Sequence, residues 1–148
     1  MIRLKSVVLI AVAGTLLTAC ATKDLNEHER IMVGKTWVTT NAIDHKTRSI
    51  GENDQRVSMY YGSARYYANG TFVMFTPEGE QKMQGDWRIS DDGKIRTLVA
   101  KDHEGKVLFT RDVENTAVTP TDYVYRIYPS ERHKDQYIDI LHEPKKKP

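Results

Sequence analysis

The 148-residue chain has one cysteine, Cys20, so no disulfide can form within it. Its five histidines are His28, His45, His103, His133 and His142. None is spaced to set two ligands on one helix or one ribbon, which excludes the familiar zinc pairs. No metal or other cofactor is expected. His103, between Asp102 and Glu104, reads as a solvated turn. A Gly-x-Ser-x-Gly elbow and a glycine-rich phosphate loop are both missing. Asp86 and Asp139 would make an acid–base pair only if the fold joined them, and their alternation with apolar residues sets them on solvent faces. No catalytic residue is named, and the chain is not expected to be an enzyme. Net charge is also scarce. The formal +2 falls to zero without Arg3 and Lys5, which leaves 20 cations against 20 acids. The basic patch that nucleic acid would require is therefore absent.

Only one long apolar run occurs, Val7–Leu17, about eleven residues and too short to span a bilayer. Behind Arg3 and Lys5 it has the form of a signal-peptide core. It ends in Leu17-Thr18-Ala19-Cys20, the spacing of a bacterial lipobox. Residues 1–19 are thus expected to be a lipoprotein signal peptide, with Cys20 accepting lipid and tying the chain to a membrane. Ala21 after the cysteine fits sorting to the outer membrane, facing the periplasm, if the cell is Gram-negative. The remaining chain, about 130 residues, suffices for one core. Residues 20–33 form a linker or a short helix capped by Asp24 and stopped at Gly34. Residues 34–143 form the domain, and 144–148 a basic tail.

What the domain has in quantity is turn chemistry. Asn69-Gly70, Pro77-Glu78-Gly79, Asp91-Asp92-Gly93 and His103-Glu104-Gly105 bound strands at about 71–76, 81–89, 94–100 and 106–113. In the second of these, Met83, Trp87 and Ile89 alternate with Lys82, Gln84, Asp86 and Arg88, so one face is buried. Lys35–Ala42 reads as the first strand, around Trp37. Asp44–Gln55 is a polar loop. Arg56–Tyr67 reads as one strand bent at Gly62, or as two. Asp122–Tyr128 and Tyr137–His142 complete the count. The sum is all-β: a small antiparallel barrel of eight or nine strands, a size that is either filled or holds one small ligand.

Eight tyrosines fall in these segments. Inward rings either line a cavity with hydroxyls or fill a solid core. The candidate ligand-binding residues are Tyr60, Tyr66, Tyr125, Arg126 and Tyr128, with Trp37, Trp87 and Gly62 as structural residues. Arg126 either receives a ligand carboxylate or stacks on Trp37. Two functions remain open. One is a membrane-tethered barrel holding a small apolar or amphipathic ligand, with Asp44–Gln55 at its mouth. The other is an interaction or inhibitor lipoprotein with a filled core that binds another envelope protein.

Four segments together resemble the lipocalin-like domain of unknown function found in bacterial lipoproteins. They are Gly34-Lys35-Thr36-Trp37, Asn69-Gly70-Thr71-Phe72, Gly85 to Lys94 (GDWRISDDGK) and Tyr125-Arg126-Ile127-Tyr128-Pro129. The resemblance covers about 34–143. It implies a calycin-type barrel with a tryptophan on the first strand and a late-strand arginine packed over it, here Trp37 and Arg126. It carries no established activity with it.

Overall fold

The structure, a computed structural model, describes residues 23–148. Cys20 and the rest of the expected signal lie outside the described residues. The chain first forms a short helix, α1 (Glu27–Met32), whose start is fixed by a reciprocal cap. The Asn26 side chain accepts the Glu29 N–H, and the Glu29 carboxylate accepts the Asn26 N–H. Two orphan amides are satisfied at once. The cap is therefore Asn26 rather than Asp24: both have a glutamate three residues on, but the Asn26 side-chain amide also donates to the Ile89 carbonyl at 2.8 Å, which ties the helix start to the sheet. Helix α1 ends at Met32, with the extended Val33 as its C-cap just before Gly34.

Eight strands follow: β1 (Thr36–Asp44), β2 (Ser63–Tyr66), β3 (Thr71–Phe75), β4 (Gln81–Ile89), β5 (Ile95–Lys101), β6 (Val107–Val118), β7 (Tyr123–Ile127) and β8 (Ile138–Pro144). Each pairs antiparallel with the next, and β8 closes on β1, giving one closed barrel with no free edge. The expected meander is β3 to β6, with β6 running five residues beyond its expected end. β8 extends through Pro144, so the basic tail starts inside the last strand. Among the described residues no helix is long and apolar enough to cross a membrane.

The segment 56–60 is not strand. Asp54 accepts the Arg56 N–H and pairs with its guanidinium, while its carbonyl takes the Val57 and Ser58 N–H groups. This turn chemistry draws the chain into a single 3₁₀ turn over Ser58–Tyr60 and leaves only Ser63–Tyr66 for the sheet. Gly62, between the two, has φ +134°, and a Cβ there would sit 2.0 Å from the Phe75 carbonyl oxygen.

Helix α1 stoppers one end of the barrel. Met32 and Trp37 are fully buried there, and the Trp37 indole N–H donates to the Met32 carbonyl at 3.0 Å. The His28 ring lies against Gly93, where a Cβ would come within 2.5 Å of it. Glycine in the β4–β5 turn thus lets the helix seat. The opposite end, where the β1–β2, β3–β4 and β5–β6 connections lie, has no such stopper among the described residues.

Candidate ligand-binding cavity

A cavity of about 490 Å³ opens at that unstoppered end. Its mouth is framed by Glu52 and Asn53 of the long β1–β2 loop, Pro77 and Glu78 of the β3–β4 turn, and Met59. Its walls are aromatic and apolar: Tyr60, Tyr61, Met74, Met83 and Leu98. The alternation of β4 and β5 produces this lining. Residues two apart share a face, so Arg96, Leu98 and Ala100 all point inward.

The floor is polar. Arg96, Tyr66, Tyr125 and His142 meet there from four strands, and all are buried. The Arg96 guanidinium lies 4.6 Å from the centre of the Tyr125 ring, and its Nη1 donates to the Tyr66 hydroxyl at 2.9 Å. His142 stacks on Tyr125, with ring centres 5.1 Å apart. Its Nδ1 lies 3.1 Å from the Tyr123 carbonyl. A carbonyl only accepts, so Nδ1 carries the proton, and in the neutral ring Nε2 is left as an acceptor. The ring is neutral because burial pushes its pKa down to about 3, with the Arg96 charge adding to the effect. Burial likewise pushes the hydroxyls of Tyr123 and Tyr125 up, so both remain protonated.

Residues 29–148 match one family over most of the chain. The chain belongs to the family described as "Domain of unknown function (DUF4822)". No curated protein matches it. Two solved structures are similar to the DUF4822 barrel. One is the tryptamine complex of the amine binding protein of Rhodnius prolixus: 14% identity, TM-score 0.43, covering 82% of this chain and 66% of that one. The other is described as a biogenic amine-binding protein, selenomethionine derivative: 14% identity, TM-score 0.40, covering 82% and 67%. The chain thus spans about two thirds of the length of the structures it matches.

Three of the five residues singled out from the sequence line the DUF4822 cavity: Tyr60, Tyr66 and Tyr125. Tyr60 reaches it from the 3₁₀ turn, not from a strand, and meets Tyr125 edge-on at 6.3 Å. Arg126 and Tyr128 do not line it. β7 turns Tyr123, Tyr125 and Ile127 inward, so Arg126 stands on the outer wall. There it makes two hydrogen bonds to Asp139, 2.8 and 3.0 Å, and covers the Tyr137 ring at 3.5 Å. Tyr128 donates to Glu114. The expected stacking of Arg126 on Trp37 is therefore absent. Trp37 meets Tyr123 edge-on at 5.9 Å, and the cation over its ring is Lys35 at 5.1 Å. Trp87 is buried against Tyr66. Asp86 and Asp139 are not an acid–base pair, since Lys101 takes the first and Arg126 the second. Among the described residues no group of three or more potential metal ligands forms. Sequence reasoning missed Arg96 and His142. The one available signal was the inward phase of Arg96-x-Leu98-x-Ala100, masked by the equally apolar Ile95 and Val99 on the other face.

Proposed function

We propose that the chain is a bacterial envelope lipoprotein, anchored through lipid on Cys20, whose barrel binds one small amphipathic ligand and carries out no reaction. The observation that supports this best is the cavity. At about 490 Å³ it falls within the range of about 300–1,000 Å³ usual for small-molecule sites, and it reaches from the open end down to the buried Arg96 and His142. Its apolar walls and polar floor suit a ligand with one apolar body and one polar group. The lipobox Leu17–Cys20 supports the anchor, and Ala21 supports the outer membrane in a Gram-negative cell.

Native mass spectrometry of the protein purified from its own envelope tests the binding reading. A discrete co-purified mass that is lost on denaturation is expected. Bare protein alone, with no stabilisation by an extract of the same membranes, would sink it. The anchor is tested separately by radiolabelled palmitate, which should label the wild type and not Cys20→Ser.

One observation favours a role in protein interaction. Val107, Leu108 and Phe109 are three consecutive exposed apolar residues at the start of β6, and Phe109 also reaches the cavity. Cross-linking in the envelope that depends on Leu108 would support that second role.

A further inference from the structure

Arg96 is 3% exposed, and it is the deepest charge in the cavity floor. A guanidinium stays protonated in proteins, yet this one has no counter-charge. None of the ion pairs among the described residues includes it. Its nearest neighbours are the rings of Tyr125 and Tyr123, both neutral, and the Tyr66 hydroxyl. Tyr66 occupies Nη1, while Nε is buried with no partner among the described residues. Nη2 makes no hydrogen bond either and, unlike Nε, is not enclosed, so it is the nitrogen that meets the cavity. Nη2 thus offers the cavity an unpaired N–H donor on a full positive charge.

A buried charge without a partner is costly to retain, and an apolar side chain of the same size would fold more easily. The other charges around the cavity point the same way. Its lining acids, Glu52 and Glu78, are exposed at the mouth, whereas the deep charge is positive. The Lys82 ammonium is already engaged by the carbonyls of Met59 and Tyr61. Arg111, the remaining lining cation, is only half-buried. His142 presents an acceptor, so it takes a hydroxyl or a water and not the acid.

We infer that the barrel's ligand is a carboxylic acid, bound head-down with its carboxylate on the free Nη2 of Arg96 and its apolar body along Tyr60, Met74 and Met83. This rests on the reading of the barrel as a ligand cavity and names the ligand's chemical class.

The test uses two fluorescent probes with the same body and different heads, 11-(dansylamino)undecanoic acid, which is charged, and its methyl ester, which is neutral. Both are titrated into the full-length protein after lipid has been stripped from it. The acid is expected to bind about 10- to 100-fold more tightly than the ester, the difference set by a charge-assisted pair. Arg96→Met should bring the acid down to the affinity of the ester. Arg96→Lys should recover only part of the difference, since an ammonium lacks the planar fork. Because the charge serves a ligand and not the fold, ligand-free Arg96→Met should melt no lower than wild type. Equal binding of acid and ester by the wild type would overturn the inference while leaving the cavity reading intact. A melt of Arg96→Met far below wild type would also overturn it, by making the arginine a structural post. Binding of neither probe would overturn the ligand-binding reading itself, and this inference with it.

Discussion

Glu29 on α1 reaches across the stoppered end of the barrel and accepts the backbone N–H of Ile89 on β4 at 3.1 Å. The same carboxylate caps its own helix through the Asn26 N–H and pairs with Lys23. One 2%-exposed side chain therefore joins the helix start, the N-terminal segment and the sheet. Burial alone would push its pKa up, but the bonds from Lys23, Ile89 and Asn26 outweigh it and hold the carboxyl below its ordinary 4.5. The folded-state pKa is depressed. Its stabilisation is thus present above the unfolded value and lost as pH falls through the folded one. Glu29→Ala should cost about 2–3 kcal/mol, the scale of a lost charged hydrogen bond with an orphaned buried amide. Urea unfolding at pH 7 measures this. A midpoint unchanged from wild type would mean that α1 is not part of the folded unit.

Trp87 is the packing counterpart of that lock. It is 3% exposed, its ring centre lies 5.0 Å from that of Tyr66, and its indole N–H donates to the Tyr67 carbonyl. Trp87→Ala should cost about 3–5 kcal/mol, the range for deleting a large buried aromatic. A denaturant midpoint within error of wild type would contradict its place in the core.

The meander and the single barrel were readable because turn glycines and one-sided alternation are local signals. Met83, Trp87 and Ile89 announce their face within nine residues. The strand Tyr123–Ile127 does not, because Val124 between the tyrosines is as apolar as its inward neighbours, so either phase looks buried. What fixes the phase is Asp139, which lies directly opposite Arg126 on β8 and draws it to the outer wall. That information is 13 residues away and appears only once the strands are paired. The floor of the cavity was hidden for the same reason. Arg96, Tyr66, Tyr125 and His142 lie on four different strands, and only closure of the barrel gathers them. The segment 56–60 misled differently. Val57, Met59 and Tyr60 have strand-like composition, and the turn bonds to the carboxylate and carbonyl of Asp54 overrode it.

Gly62 should tolerate no side chain. Its φ of +134° is strained for an L-residue, and the added methyl would meet the Phe75 carbonyl oxygen at 2.0 Å. That oxygen belongs to a paired strand and cannot rotate away. Gly62→Ala is expected to lower stability by at least about 2 kcal/mol and, because Gly62 lines the cavity, to weaken probe binding as well. Thermal melts and probe titration on the one variant read both effects. A fully stable Ala variant would show that the β2 start is free to shift.

His142 gives the fold a pH dependence on the acid side. Its folded pKa is about 3 against an ordinary 6.5, so between those values the unfolded chain binds the extra proton. Stability contributed by the neutral ring is complete above pH 6.5 and falls as pH drops below it. The loss is about 1.4 kcal/mol per pH unit, or about 2 kcal/mol between pH 8 and pH 5. In His142→Asn the side-chain amide stands in for Nδ1 and does not titrate, and the other histidines are unchanged. The variant should therefore show a shallower decline than wild type by about that amount in urea melts at pH 8, 7, 6 and 5. Parallel curves would mean that the ring takes up a proton inside the fold.

Arg126 is the residue for which burial and exposure predict opposite results. It holds Asp139 through two hydrogen bonds, but both side chains are about a quarter exposed, so solvent screens the pair. Its planar face also covers Tyr137. Arg126→Gln should therefore cost only about 1 kcal/mol, the combined scale of a screened ion pair and a surface cation–π contact. Tryptophan fluorescence should not change, because Trp37 lies against Tyr123 and Lys35 and not against Arg126. Binding of dansylundecanoic acid should match wild type, because the outer wall does not reach the cavity. A large loss of acid binding in Arg126→Gln, with Arg96→Met unaffected, would require β7 to be turned over, with Tyr123 and Tyr125 outside and Arg126 within.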